Sequence, residues 1–465
     1  MVWIFQITLG FYVLFVFMTL RHIFFNVTDS GKTFSWMLVV FFIPVIGVLL
    51  YRLIGISVKR DRFFKRAKIF DSSYNKPIDS SKIPQSKIPL ATLLNRNHSS
   101  AISYRNNVDT LKNGKASFEY VYKDLEQASS SIHLDFYIIE TGIVLDKCLK
   151  ILEKKCKEGV KVRLVYDAFG TVEQYKESFK KLSAIGVEVR VFMPFNWLKY
   201  YMYLNYRNHR KIIIIDNKIA YTGGMNISDK NLDGDPDLGI WRDTYIRVEG
   251  DAAVNFERVF YNDWRLSGGD KYSLTQPKLS HDGNIPVQVI ASGPDSDHCG
   301  IMQEYFTLIT DAVDYVYISS PYFIPGEAIM TALKTSALSG VDVRLMLPLN
   351  SDSRWMRWCM FTYLDKLLAS NVKVYLYHGG FLHNKTIISD DIVASNGTAN
   401  VDVRSFETNF EINAIVYDNQ TTIELKQHFF EDMDESIELT LESFRNRKDR
   451  NKLMESFARL TSPML

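Results

Sequence analysis

Neither sign of charge prevails in this chain: 55 Lys and Arg stand against 53 Asp and Glu, a formal net charge of +2. That near-zero balance argues against a surface built to wrap nucleic acid, which calls for a clear basic excess. Cysteine is scarce. Four in 465 residues (Cys148, Cys156, Cys299, Cys359) exclude a disulfide scaffold. Cys148 and Cys156 are too far apart for a zinc knuckle, so all four read as buried thiols. The composition of a disordered chain is missing as well, because 46% of the residues are hydrophobic and 23% charged. What is abundant is aromatic: 30 Phe and 25 Tyr, with much of the excess in the first 70 residues and in two later clusters. The length allows two or three domains, or one pseudo-symmetric pair.

Two long uncharged runs open the sequence, Val2 to Leu20 and Phe34 to Tyr51. Each is near the roughly 20 residues that cross about 30 Å of hydrocarbon as a helix, so the pair reads as a transmembrane hairpin. A cleaved signal peptide wants a basic start and a small-x-small site, and neither is present. Arg21 and Lys32 lie between the runs, whereas Arg52, Lys59, Arg60, Arg62, Lys65, Arg66 and Lys68 follow the second against the single acid Asp61. This bias predicts both ends in the cytoplasm, and the basic cluster also suits an anionic leaflet. Residues 71–107, rich in Ser and Lys and broken by Pro77, Pro84 and Pro89, read as a tether.

Beyond the tether the pattern is written twice. Strand-like Ile132 to Ile139, Val160 to Tyr166 and Val187 to Phe192 alternate with helical stretches, and the same order returns in Tyr315 to Ser319, Val341 to Leu347 and Val372 to Tyr377. Alternation of this length predicts α/β units on a largely parallel sheet. Gly159-Val-Lys-Val-Arg163 and Gly340-Val-Asp-Val-Arg344 are near copies, which points to a duplicated unit and a site shared at its pseudo-twofold interface.

The chemistry sits late in each repeat. His209-Arg-Lys211 precedes Asp216 by the H-x-K-x(4)-D spacing, and His383-Asn-Lys385 precedes Asp390 by the same spacing. In both cases an Asn follows the His at equal distance, Asn226 and Asn400. Residues i and i+2 of a strand share a face, so each His points with its Lys. Two imidazoles, two ammonium groups and two amides make a clamp for a phosphodiester that needs no metal. The acidic run Asp233-Gly-Asp235-Pro-Asp237 lacks the Glu that would close a calcium loop and reads as a solvated turn. Of the remaining histidines, His133 reads as a core-strand residue and His378 as a neighbour of His383. Leu453, Met454, Phe457 and Leu460 recur at helical spacing, suited to the protein body or to lipid.

These paired motifs resemble those of the phospholipase D superfamily. Over essentially its full length the chain is similar to the bacterial cardiolipin synthases of that superfamily. The resemblance rests on the two apolar runs, Arg207-Asn-His-Arg-Lys211, Trp241-Arg-Asp243-Thr, Ser292-Gly-Pro294, Gly380-Phe-Leu-His383, Gly397-Thr-Ala-Asn-Val-Asp402, Arg404-Ser405, Asn409-Phe-Glu411 and the closing Leu460-Thr-Ser-Pro-Met-Leu465. It implies two α-β-α repeats (108–280 and 281–465) forming one catalytic body after a hairpin (1–55) and a tether (56–107), set in a bacterial cell membrane with the body in the cytoplasm.

The resemblance also implies roles. One histidine attacks the donor phosphorus and the other moves protons, with His209 as nucleophile by analogy with the superfamily. Lys211, Lys385, Asn226, Asn400 and Thr398 would hold the non-bridging oxygens, and Asp243 and Glu411 would orient the rings. Asp216 and Asp390 read as structural charge partners within the motif. Gly224 matches Thr398, so the two halves are not equivalent. No metal or cofactor is expected. The substrate would be phosphatidylglycerol, converted to cardiolipin and glycerol, with a membrane-bound phospholipase D hydrolase as the alternative. A nuclease of the superfamily is disfavoured by the charge balance. Water-excluding walls are expected from Trp197 to Tyr203 and Trp355 to Tyr363, although both stretches also suit core helices.

Overall fold

The computed structural model describes residues 2–27, 30–55, 77–171, 176–194, 205–270, 283–296 and 298–459. The basic cluster at 59–68, the aromatic run 197–203 and the closing residues 460–465 lie outside the described residues.

The first apolar run forms the helix Val2–Asn26, and Gln6–Asn26 is long and apolar enough to cross a membrane. Trp3, Ile7, Phe11 and Phe17 are exposed on it. The second run does not continue as one span from Phe34 to Tyr51. Ser30–Phe42 and Pro44–Leu50 are separate helices, with Ile43 at φ −128° and ψ 65° between them. Pro44 has no N–H to offer the carbonyl four residues back, so it heads a new helix instead of extending the old one. Gly47 permits the fold-back: a Cβ there would lie 2.6 Å from the Val39 carbonyl oxygen.

The body holds two sheets of matching topology. The first runs, in spatial order, Asn106–Lys112, Thr244–Gly250, Ile219–Gly223, Lys211–Ile215, Ser131–Phe136, Lys161–Asp167, Glu188–Phe192. In the second the same roles fall to Val287–Ser292, Glu411–Val416, Val393–Gly397, Thr386–Ser389, Tyr315–Ser319, Asp342–Pro348 and Lys373–Tyr377, with Ile102–Ser103 and Ser436–Leu439 at the edges. The duplication is therefore structural. The sheets are mixed and not largely parallel: only the three strands from each α/β stretch run parallel, and the motif strands are antiparallel hairpins. Tight turns cause this. Asp216 and Asn217 take positive φ (53° and 56°), as do Asp390 and Asp391 (56° and 52°), a backbone region that Asp and Asn tolerate better than most residues.

Between the sheets lies an apolar layer. Phe256, Val259, Phe260 and Trp264 of the helix Ala253–Leu266 pack with Ile212, Ile214 and Val248 of the first repeat and with Val289, Phe410, Ile412 and Ala414 of the second. His133 is a core residue, its Nδ1 2.9 Å from Glu257 and its ring stacked on Phe260. Of the cysteines, Cys148 and Cys359 are buried, while Cys156 and Cys299 are half-buried.

The tether is shorter than the prolines suggest. Ile88–His98 is a helix with Pro89 in its first turn, where the missing N–H costs nothing, and Leu90, Ala91 and Leu94 are buried in the core of the second repeat. The strands that follow stitch the repeats together, since Ile102–Ser103 pairs with the second sheet and Asn106–Lys112 with the first. At the far end the helix Asp449–Arg459 buries Ala458 and Glu455 on the body and leaves Leu453 and Phe457 exposed. Replacing Leu94 with Ala is expected to cost about 2–5 kcal/mol of stability, as in other buried cores. A fall in Tm on thermal unfolding of the purified protein checks this; in a solvated tether the same change would leave the Tm in place.

Candidate active site

Both motif histidines line one cavity of about 320 Å³. What brings them there is main-chain pairing across the pseudo-twofold axis. The His209 N–H donates to the Phe410 carbonyl at 2.9 Å, and the Phe410 N–H to the Arg207 carbonyl at 2.8 Å. The mirror arrangement pairs Phe381–Leu382 with Trp241–Arg242, and the His383 N–H donates to the Arg242 carbonyl at 2.8 Å. Each His therefore sits beside the chain segment that carries the other repeat's carboxylate.

The orienting pairs are accordingly crossed. His209 Nδ1 lies 3.0 Å from both carboxylate oxygens of Glu411, and His383 Nδ1 lies 2.7 Å from Asp243 Oδ2. Counting residues within a repeat could not reveal this, because each ring is held by a carboxylate from the other repeat. Glu411 and Asp243 are fully buried. With Nδ1 held by a carboxylate, each ring keeps Nε2 for the cavity. The edge of Tyr137 packs against His209 at 5.0 Å, and Trp241 covers His383 at 4.7 Å.

Two arginines fix those carboxylates through their own backbone. Arg210 Nε donates to the Glu411 carbonyl at 3.1 Å while its Nη1 bonds both Asp263 oxygens at 2.6 Å. Arg242 Nη1 donates to the Asp243 carbonyl and its Nε to Asp432 at 2.7 Å. Asp263 and Asp432 lie on the helices Ala253–Leu266 and Asn419–Asp434, so a helix of each repeat braces one orienting group.

Lys211 and Lys385 share a face with their histidines, as the strand alternation predicts, but they lie fully buried, and each ammonium donates to its own His carbonyl (2.8 and 2.6 Å). Asn226 and Asn400 do line the cavity. Asn226 Oδ1 accepts from the Ile138 N–H at 3.3 Å. Thr398 does not serve that role. Its hydroxyl donates to Glu411 at 2.6 Å and accepts from the Ile412 N–H at 2.9 Å, so it positions a carboxylate. Gly224 at the matching place is dictated by Asp243, whose oxygen would lie 2.4 Å from any Cβ there.

Asp216 and Asp390 are remote from the chemistry, and the hydrogen bonds they accept come mainly from the backbone, with Lys87 as a charge near Asp390. Asp216 accepts from the N–H groups of Ser129, Ser130 and Ser131, and Asp390 from those of Val313, Asp314 and Tyr315. At about 3.3 Å per residue, the strand Lys211–Ile215 holds Asp216 roughly 16 Å from Lys211. Both motif aspartates tie the motif hairpin to the start of the neighbouring strand. Sequence reasoning gave no role to Arg207, Arg404, Asn409, Tyr322, Asp352 and Asp402, which complete the cavity wall. A usable signal existed for Arg207, two residues before His209 and thus on the same face. His378 is exposed and plays no part.

The electrostatics of the site favour an anion. Burial pushes His209 down to about 4, against the pull of Glu411, and burial with Lys385 pushes His383 down to about 3. Burial also lowers Lys211 to about 7 and Lys385 to about 8. Glu411 stays below its ordinary value because His209, Lys211 and Thr398 together outweigh the effect of burial. Each cationic form is poorly solvated here, and a bound phosphodiester would supply the missing countercharge. Among the described residues no group of three or more His, Cys, Asp or Glu is placed to hold a metal.

The family model for the cardiolipin synthase phospholipase D-like domain matches residues 121–264 and 305–433, and that for the phospholipase D-nuclease N-terminal segment matches 13–55. The chain belongs to the phospholipase D-like cardiolipin synthase family. Its similarity to named members is nearly end to end. The cardiolipin synthase of Clostridium perfringens (strain SM101 / Type A) is 36% identical, covering 94% of this chain and 95% of the relative. The major cardiolipin synthase of Bacillus subtilis (strain 168) is 36% identical over 98% of each. Among solved structures, the phosphatidylserine synthase of Haemophilus influenzae Rd KW20 shares the fold at a TM-score of 0.62 and 13% identity, covering 82% of this chain and all of that one. The family's duplicated α/β body is thus the one observed here.

Two outcomes are expected. Asp216→Ala should cost about 1–3 kcal/mol of stability through the backbone donors it strands, yet leave activity within about tenfold of the parent, as comparison of Tm and kcat would show. In addition, both histidines titrate near 6.5 when unfolded but near 4 and 3 when folded. The unfolded chain therefore takes up protons first, and stability falls as pH drops from about 6.5 towards 4. A Tm series across that range should be steeper for the parent than for H209Q/H383Q.

Proposed function

We propose that this protein is a cardiolipin synthase, a phosphatidyltransferase that moves the phosphatidyl group of one phosphatidylglycerol to a hydroxyl of a second and releases glycerol. The observation that carries this reading is the pair of imidazoles on one cavity, each presenting Nε2 with Nδ1 held by a carboxylate. Kinship with cardiolipin synthases over nearly the whole chain supports the product.

His209 is the nucleophile in this reading, by analogy with the superfamily. Its Nε2 forms a bond to phosphorus as the bond from phosphorus to the glycerol oxygen breaks, and His383 Nε2 gives its proton to that oxygen. In the second step His383 takes the proton of the incoming hydroxyl, whose oxygen displaces His209. Burial and Lys385 favour the neutral form of His383, and the phosphodiester anion favours the imidazolium that Asp243 then stabilises. Asn226 and Asn400, with Arg207 and Arg404, face the non-bridging oxygens where charge accumulates. Lys211 and Lys385 add positive potential from behind the rings. The transfer needs no cofactor in this scheme.

The protein associates with the membrane through its N-terminal apolar helix. We place the catalytic body in the cytoplasm, on an anionic leaflet, with the second apolar run entering the bilayer bent at Pro44; the basic residues from Arg52 to Lys68 support this orientation.

Purified protein mixed with phosphatidylglycerol vesicles should yield cardiolipin and glycerol in equal amounts. H209A and H383A should each lose at least about a thousandfold in rate, as loss of a nucleophile or a general acid–base group entails. Phosphatidic acid as the sole lipid product would overturn the transferase reading.

A further inference from the structure

A phosphodiester offers only hydrogen-bond acceptors, and the cavity answers it with donors. Yet the same cavity holds acceptors that a phosphodiester cannot satisfy, and they cluster on the wall supplied by the second repeat. Asp352 stands in the loop between the strand Asp342–Pro348 and the helix Arg354–Leu368, exposed at the mouth of the cavity. The Tyr322 hydroxyl donates to Asp352 Oδ2 at 2.5 Å and the Ser351 hydroxyl to its Oδ1 at 3.2 Å, which leaves lone pairs on both oxygens. Asn400 is 5% exposed, lines the cavity, and has an Oδ1 that is buried without a hydrogen-bond partner. Asp402, equally buried, gives one oxygen to the Ser405 N–H at 2.6 Å and lines the same wall.

Among the described residues the first repeat lends this cavity no carboxylate, and Thr171, at the place matching Asp352, is buried with its hydroxyl donating to the Tyr137 carbonyl at 3.1 Å. At the end of its matching strand, Asp167 is fully buried and engaged by the N–H groups of Asn208 and Phe169 and by Arg207 at 3.6 Å. The cavity is therefore symmetric around its two imidazoles and asymmetric at its rim. An unsatisfied buried acceptor such as Asn400 Oδ1 is a cost to the fold that a ligand donor would recover. An ammonium group could answer Asp352 and Asp402, but Arg207 and Arg404 share the cavity and Lys385 is within the reach of both acids. A hydroxyl meets no such repulsion. It donates to a carboxylate or to the Tyr322 oxygen and accepts from a guanidinium.

On the cardiolipin synthase reading, on which this rests, we infer that Asp352, Tyr322 and Asn400 form a polyol subsite for the free hydroxyls of a glycerol headgroup. One subsite serves both steps, because the second reverses the first at phosphorus. The glycerol leaving the donor lipid and the glyceryl headgroup of the acceptor lipid pass through the same place. Bound there, the headgroup presents its terminal hydroxyl to His383 and its neighbouring hydroxyl to Asp352.

The test runs the reaction backwards as well as forwards with the full-length protein. Cardiolipin vesicles are offered glycerol or 1-propanol as acceptor, and the ratio of the two kcat/KM values is measured. D352N is expected to lower the preference for glycerol about tenfold or more, chiefly through a higher KM for glycerol, the scale of one charge-assisted hydrogen bond. Y322F should shift the ratio in the same direction by less. In the forward direction D352N should release more phosphatidic acid per cardiolipin formed. An unchanged glycerol-to-propanol ratio in D352N would overturn the subsite. So would phosphatidylethanolamine serving the parent protein as phosphatidyl donor to phosphatidylglycerol, with release of ethanolamine, as well as phosphatidylglycerol does, and losing that role in D352N, which would assign the acids to an ammonium. If the parent protein forms phosphatidic acid and no cardiolipin from phosphatidylglycerol, the reading beneath the inference fails, an outcome distinct from either of these.

Discussion

Two buried hydrogen bonds, His209 to Glu411 at 3.0 Å and His383 to Asp243 at 2.7 Å, cross between the repeats and make each half dependent on the other. A carboxylate that is fully buried with its imidazole removed is an unpaired charge in a low-dielectric interior, a defect on the order of 3–5 kcal/mol. Separating the halves would create two such defects at once. It would also expose the apolar layer around Phe256, Phe260 and Ile412. The chemistry and the interface are thus the same structure, and a repeat folded alone would present an imidazole whose tautomer nothing fixes.

The surrounding construction serves that crossing. Arg210 and Arg242 hold the backbone carbonyls of Glu411 and Asp243 while anchored to Asp263 and Asp432 on separate helices. Buried ion pairs of this kind contribute little net stability, but they tolerate few geometries, which suits groups that must stay in place while phosphorus moves between two oxygens. The lysines act differently. Fully buried and with ammonium forms that burial disfavours, they raise the preference of the cavity for an anion.

How much of this could be read from residues alone depended on the range of the signal. The shared face of His209 and Lys211 follows from the alternation of a strand, and the duplication follows from repeated strand patterns; both are local. The partner of each imidazole was hidden, since residue counts within a repeat carry no information about contacts across a pseudo-twofold. Thr398 was expected to be a phosphate ligand by resemblance alone, yet its hydroxyl turns to Glu411. Asp216 and Asp390 belong to the motif by spacing but act at the far end of the hairpin, on the backbone of a strand far from them in sequence. Proline misled in two directions: Pro89 starts a helix where a tether was expected, and Pro44 divides a run that looked continuous. Asp352 carried no sequence signal, because only the fold brings that loop to the cavity.

Duplication gives a phosphodiester-transferring site its symmetric half at no design cost. Attack and departure at phosphorus are the same event run in opposite directions, so two like imidazoles on opposite sides serve it, and Tyr137 and Trp241 close over them in like fashion. The two substituents on phosphorus are not alike, however. One carries acyl chains and the other a small headgroup that must leave and be replaced, and a strictly symmetric wall would hold both equally badly. The departures from symmetry lie where that distinction matters. Gly224 against Thr398 changes how each carboxylate is packed, and a buried Thr171 against an exposed Asp352 changes what each rim can bind. The repeats kept their likeness around phosphorus and lost it at the rim, the division of labour that transfer between two unlike esters demands.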